Sequence, residues 1–233
     1  MIKIQDKIEL IESDDGSHTL YRKDLNEHYH SIFGAIQESK HIFIEACFKQ
    51  NIQNRKKINV LEVGFGTGLN ALLTAIEAEQ QNIITNYFGV EPFRVPCTII
   101  QKINYPKLLD SLGADHLFKL IHHCDWNSNQ QISKYFNLYK SESEISKTNL
   151  KNNYFNLIYY DAFAPDIQAE LWTKTVFQKI YVSLKTNGVI ITYSCKGIVK
   201  RALKSVGFEI KKLPGPKGKR EILIGIKDVN NNQ

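Results

Sequence analysis

Val60-Leu61-Glu62-Val63-Gly64-Phe65-Gly66-Thr67-Gly68-Leu69-Asn70 decides how this chain is read. An apolar run ends in a turn with glycine at every second position, and Leu69, Leu72, Leu73 and Ile76 then recur at helical spacing. A strand that feeds a helix through glycines lets backbone N–H groups approach a bound nucleoside, because no Cβ intervenes. The spacing selects the ligand. A dinucleotide turn reads G-x-G-x-x-G and needs glycine at 69, where this chain has Leu69. Gly64, Gly66 and Gly68, with Glu62 two positions before them and Phe65 and Asn70 alongside, fit the nucleoside–amino-acid end of S-adenosylmethionine better than a pyrophosphate. A methyl-donor site is expected here.

Working outward, Asn86-Tyr87-Phe88-Gly89-Val90 reads as a second strand that ends at Glu91. An acid there, about 20 residues beyond a glycine turn, is placed to accept hydrogen bonds from ribose hydroxyls. The rest alternates strand and helix as a parallel α/β sheet does. A hairpin is expected around Ser13-Asp14-Asp15-Gly16, a helical connection through Ile36, Phe43 and Ile44, and a helix from about 95 to 110. Either 117–121 or 135–140 supplies the third strand. Tyr154–Tyr160 is a near-continuous apolar run, typical of a strand buried on both faces. A helix then stops near Gly188, a strand covers Val189–Tyr193, a helix ends at Gly207, and strands 208–213 and 221–226 form a hairpin. Three parts follow: an N-terminal extension (1–57), a Rossmann-like domain (58–227) and a tail (228–233), with Asn230–Gln233 frayed.

Open α/β sheets bind ligands at the carboxyl ends of their strands. The fourth strand ends in Tyr160-Asp161-Ala162-Phe163-Ala164-Pro165, which sets the Asp161 carboxylate beside the donor turn. Methyl transfer is an in-line displacement, and the nucleophile must offer a free lone pair. An amine with a lysine-like pKa near ~10.4 is protonated at neutral pH, so an adjacent carboxylate that aligns it and takes its proton assists the step. Asp161 is the candidate. Phe163 suits either a stacking platform for an exposed base or core packing, and Tyr29 either closure over the donor or ordinary packing.

The 233 residues, 42% hydrophobic, suffice for one sizeable core. No apolar run approaches a membrane span, and Met1–Asp6 has no signal-like apolar region, so a cytoplasmic protein with no membrane role is expected. Cys47, Cys97, Cys124 and Cys195 form no C-x-x-C pair, which fits reduced thiols. His28, His30, His122 and His123 lack zinc-like spacing, and no metal is expected. Cys195 has no histidine partner in sequence reach and is read as inert. Charge is uneven. Residues 196–227 hold ten Lys/Arg against Glu209 and Glu221, a net +8 that leaves −2 elsewhere in a chain of +6. Lys217, Lys219 and Arg220 follow Pro214-Gly215-Pro216 in a turn that presents cations, and with Lys196 and Arg201 they suit nucleic-acid phosphates.

The glycine turn, Asp161–Pro165 with Leu171-Trp172, and Gly215–Glu221 occur in order, together with Glu27-His28-Tyr29-His30-Ser31 and Gln37–Ile44. Over roughly residues 18–227 the chain thereby resembles the MnmD family, stand-alone counterparts of the methyltransferase half of bifunctional MnmC. The resemblance implies a class I S-adenosylmethionine-dependent methyltransferase sheet of seven strands, the last antiparallel. It implies conversion of 5-aminomethyl-(2-thio)uridine at tRNA wobble position 34 to 5-methylaminomethyl-(2-thio)uridine. It also implies an adenine-contacting acid at Glu144, with Asp125 as the alternative, and anticodon-arm phosphates held by the cations named above. The flavin (FAD) oxidase module of the bifunctional proteins finds no counterpart in 233 residues, and no obligate protein partner is inferred. The competing reading is a methyltransferase acting on a small-molecule or protein amine.

Overall fold

The computed structural model describes residues 7–109 and 111–228. An N-terminal antiparallel sheet comprises β1 (Ile8–Glu12), β2 (His18–Arg22) and β3 (Glu27–His28). A continuous helical segment follows: α1 (Ala35–Ser39), a π-helical stretch (Lys40–Phe48) and α2 (Lys49–Asn51). The main sheet is built from β4 (Lys57–Val63), β5 (Ile84–Val90), β6 (Asn129–Gln131), β7 (Phe136–Ser141), β8 (Phe155–Tyr160), β9 (Leu184–Thr192), β10 (Phe208–Pro214) and β11 (Glu221–Lys227). Their spatial order is β10-β11-β9-β8-β4-β5-β7-β6. The pairs β7–β5, β5–β4, β4–β8 and β8–β9 are parallel, while β11 is antiparallel to both β9 and β10.

Strand faces sort the side chains into two cores. In β8, Leu157 and Tyr159 enter the core that holds the π-helical stretch and α3 (Leu69–Gln81), with Phe43 and Leu72. Ile158 and Tyr160 enter the other, against Trp172 and Phe177 of the segment containing α7 (Lys174–Ser183). Burial on both faces is the reason this strand has no polar alternation.

Several expected boundaries move. The third strand is β7, and 117–121 lies inside the helix α6 (Ala114–His123). A short edge strand, β6, pairs antiparallel with β7 and makes the sheet eight-stranded. The helix expected over 95–110 is broken into α4 (Cys97–Ile100) and α5 (Tyr105–Leu108), with Asn104 outside helical geometry and Pro106 restarting the second piece. The helix expected to stop near Gly188 ends at Ser183, and β9 begins at once, with Asn187 at φ 60° in the irregular part of its pairing with β8. The helix before Gly207 is α8 (Gly197–Ser205). The positive-φ residues other than glycine, among those described, are all asparagines. The asparagine-rich composition thus has a structural use, since a short amide tolerates the left-handed region that larger side chains avoid. The frayed tail expected at 230–233 lies outside the described residues.

Candidate active site

The carboxyl ends of β4, β5, β7 and β8 meet at one cavity of about 760 Å³, within the ~300–1,000 Å³ typical of small-molecule sites. Backbone geometry sets its floor. Gly64 donates to Val90 O at 3.0 Å, and Asp161 N donates to Val63 O at 2.9 Å, so the three strand ends lock together. Gly64 has φ +92°, and a Cβ there would lie 2.5 Å from the Asp161 carbonyl oxygen. No other residue type fits without displacing Asp161. A Cβ on Gly66 would meet the Tyr29 ring at 3.0 Å.

Glu91 closes the donor side. Its Oε2 accepts the Gly66 N–H at 3.0 Å and its Oε1 the Phe93 N–H at 2.9 Å. Burial pushes its carboxyl up to about 7 despite these two bonds. Each oxygen retains a lone pair for a further donor. Glu62 stands beneath the floor, fully buried and away from the cavity wall. The Asn70 amide nitrogen, in the first turn of α3, donates to Glu62 Oε1 at 2.9 Å and to Asp161 Oδ2 at 2.8 Å. A buried chain Glu62–Asn70–Asp161 therefore orients the candidate base. Glu62 Oε2 and Asn70 Oδ1 have no hydrogen-bond partner in it. Burial raises the Glu62 carboxyl well above its ordinary value, which favours the neutral acid.

Asp161 is pushed up to about 7, chiefly by burial and next by the Glu38 charge; Asn70 and the Lys219 charge oppose the rise. The turn that carries it is pinned from outside: Trp172 Nε1 donates to Phe163 O and Tyr193 OH to Ala162 O, each at 2.9 Å. These two aromatic donors fix the path of the turn. Phe163 lines the cavity and meets Tyr29 edge to face, with centroids 5.0 Å apart. Burial and the Glu91 charge raise the Tyr29 hydroxyl to about 12, so it stays protonated.

Other expected site residues divide. Glu144 is exposed yet lines the cavity and is paired with Lys147, whereas Asp125 is exposed and not on the wall. Phe65 and Gly68 lie behind the glycine turn: the Phe65 ring covers Gly89, and a Cβ on Gly68 would meet His122 at 3.0 Å. Of the five cations assigned to phosphates, only Lys219 lines the cavity. Its ammonium forms an ion pair with Glu38 and lies 5.3 Å from the centroid of the Tyr193 ring. Lys217 pairs with Asp14 at 2.9 Å and Lys196 with Asp166, while Arg201 and Arg220 are exposed.

Sequence reasoning missed Glu38, Tyr193 and Lys219 as cavity residues, and also His30. The His30 ring bonds Thr67 Oγ1 at 2.8 Å, and burial lowers its pKa to about 4, so the neutral ring holds the glycine turn. For Glu38, His30 and Lys219, position in the quoted N-terminal and Gly215–Glu221 motifs was the available signal, whereas Tyr193 lies in none of those motifs. Neither the motif nor the spacing tells which side of a turn a side chain takes. Among the described residues no group of three His, Cys, Asp or Glu is arranged to hold a metal, and no helix is long and apolar enough to cross a membrane.

Against known proteins, residues 128–228 match a family model described as S-adenosyl-L-methionine-dependent methyltransferase. The bifunctional protein MnmC of tRNA 5-methylaminomethyl-2-thiouridine biosynthesis from Burkholderia multivorans is 29% identical over 226 residues, 91% of this chain and 34% of the relative. Over most of its own length this chain is similar to a part of MnmC. The protein of the same name from Cupriavidus metallidurans is 26% identical, covering 96% of this chain and 34% of its own length. The chain thus spans about a third of these curated relatives. The crystal structure of MNMC2 from Aquifex aeolicus superposes with a TM-score of 0.77 at 22% identity, over 94% of this chain and 69% of that one, and so shares the fold. The sheet is that of the class I S-adenosylmethionine-dependent methyltransferases, with a C-terminal antiparallel pair.

The residues present fit that donor. The glycine turn exposes backbone where a Cβ would collide, and Glu91 keeps free lone pairs at the cavity edge. Gly64, Gly66, Glu91 and Glu144 would hold S-adenosylmethionine, which supplies an electrophilic methyl group on a sulfonium.

Proposed function

We propose that this protein methylates the primary amine of 5-aminomethyl-(2-thio)uridine at the wobble position of tRNA, giving the 5-methylaminomethyl base. The observation that carries the reading is Asp161: a carboxylate tethered by Asn70, raised to about 7, in the cavity that holds the glycine turn. The Asp161 carboxylate aligns the amine and receives its proton, and a raised pKa makes it a stronger base than an ordinary aspartate. The proton moves from nitrogen to Asp161 Oδ as the nitrogen lone pair forms the new bond to the methyl carbon, whose bond to sulfur breaks so that the thioether leaves. Phe163 and Tyr29 form an aromatic wall suited to a base taken out of its stack. Similarity over 91% of this chain to a relative named for this tRNA modification supports the substrate class. On this reading no metal and no flavin take part, and the protein works in the cytoplasm with tRNA as its partner.

The test uses labelled S-adenosylmethionine and tRNA from cells that lack the enzyme, followed by nucleoside analysis. Label on the wobble uridine's amine is expected. Label only on proteins or small-molecule amines sinks the reading.

A further inference from the structure

Lys219 does not join the surface cations among which its sequence neighbours place it. The turn from Pro214 to Arg220 is closed by Gly215 N donating to Arg220 O at 3.1 Å and Lys219 N donating to Pro216 O at 2.9 Å. A Cβ on Gly215 would lie 2.3 Å from the Lys219 carbonyl, so the path of the turn leaves no freedom at this point. Lys217 leaves the turn outward toward Asp14, and Lys219 leaves it inward. Its side chain is 29% exposed and that of Glu38 11%. Glu38 is itself fixed, because its Oε2 accepts the Ser31 N–H at 2.8 Å and leaves Oε1 for the ammonium.

A half-buried ion pair is weak evidence for stability, since desolvation offsets its attraction. Its placement is more informative. Both partners line the cavity that contains Asp161, and the charges of both act on Asp161. An ammonium has three donors and no acceptor. One donor is engaged by Glu38, and the ammonium, which stands over the Tyr193 ring in the cavity wall, has two more.

Chemistry of the acceptor base then narrows what they meet. In a uracil that carries an aminomethyl group on C5, the 4-carbonyl stands on the neighbouring ring atom. Of the two ring atoms that flank C5, only C4 carries a group that a cation in the same cavity can bond. In cytosine the same position carries an amino group, which is a donor and opposes an ammonium. Resting on the function proposed above, we infer that Lys219, held by Glu38, is a specificity-determining residue that donates to the 4-carbonyl of the target uracil and rejects cytosine. A site built to donate leaves its own buried donor unpaired against the wrong base, and such mismatches cost orders of magnitude in kcat/KM.

The test uses two anticodon stem–loop RNAs that differ only in the wobble nucleoside, 5-aminomethyluridine or 5-aminomethylcytidine. The wild type is expected to favour the uridine RNA by about 10²-fold or more in kcat/KM. Lys219→Met combined with Glu38→Gln, which leaves no orphan carboxylate, should bring the ratio to within about threefold of unity by slowing the uridine reaction. Lys219→Gln, whose amide can donate or accept, should gain activity on the cytidine RNA. Thermal unfolding and calorimetric binding of S-adenosylmethionine identify which variants fold, and either folded variant suffices. A wild type active on both RNAs alike, or a folded variant that keeps the wild-type ratio, overturns the assignment while the methyltransferase reading stands. A wild type inert on the uridine RNA overturns that reading and this assignment with it.

Discussion

The two walls of the cavity are built by different means. The wall proposed to hold the donor is built mainly from one stretch of chain, with Gly64 and Gly66 on the turn after β4 and Glu91 at the end of β5 bonded to Gly66 N, and is completed by Glu144 after β7. The acceptor wall is side chains from four distant segments: Tyr29 and Glu38 from the extension, Asp161 and Phe163 after β8, Tyr193 after β9, and Lys219 from the C-terminal turn. On the proposed function, donor binding rests largely on backbone that glycine leaves bare, and acceptor choice on the identity of side chains. The two walls meet where Gly64 sits against the carbonyl of Asp161 and Gly66 faces the Tyr29 ring.

Substitutions that affect one wall without the other break or sharpen this contrast. Asp161→Asn should cut kcat by about 10³-fold and leave the Kd for S-adenosylmethionine, measured calorimetrically, within about threefold. A comparable loss of donor affinity would move Asp161 to the donor wall. Gly64→Ala should act on both walls, weakening donor binding by about tenfold or more and lowering the thermal midpoint, because the new methyl meets backbone at a positive-φ position. Unchanged donor affinity in that variant would show that the turn is not the binding surface.

The pH dependence separates the two raised acids. As a base, Asp161 must be ionised, so kcat should rise with pH through about 7. For stability the sign is opposite. Its folded pKa exceeds the ordinary 3.8, so the folded state holds the proton more tightly, and that contribution is lost as pH rises from about 4 through about 7. Asp161→Asn should therefore stabilise the free protein at pH 8 by about 1–2 kcal/mol, allowing for its half-open position, and bring little gain near pH 4. Denaturant titrations at both values check this; an equal gain at each would assign the effect to packing. The smallest effect is expected outside the cavity. Replacing Arg201 and Arg220 by alanine should raise KM for tRNA about threefold and flatten its salt dependence, with kcat retained. An unchanged salt slope would leave those cations as solvated surface.

The glycine turn and Glu91 were legible in the sequence because what makes them is local. Three alternating glycines, an acid at the end of the next strand and a helical repeat behind them lie within residues 60–91. Backbone chemistry at that range reads directly from residue type and spacing. The acceptor wall was legible only at Asp161, Phe163 and Tyr29, which sit in recognisable motifs. Lys219 was read as a surface cation from its neighbours in sequence, and the structure turns it inward to Glu38, 181 positions away in the chain. The break in the helix over 95–110 was signalled by Asn104 and Pro106, and the edge strand β6 follows a polar stretch with no apolar alternation to reveal it.

Sequence alone determined the alternation of strands and helices outside residues 95–140, the glycine turn and the strand-end acids, because hydrophobic period and φ-preference act over a few residues. Only the tertiary structure decided that Glu62 lies under the floor, that Asn70 joins it to Asp161, and that Glu38 and Lys219 face the same cavity. Those facts depend on which way a side chain leaves its backbone and on burial that distant segments supply. No local pattern encodes either.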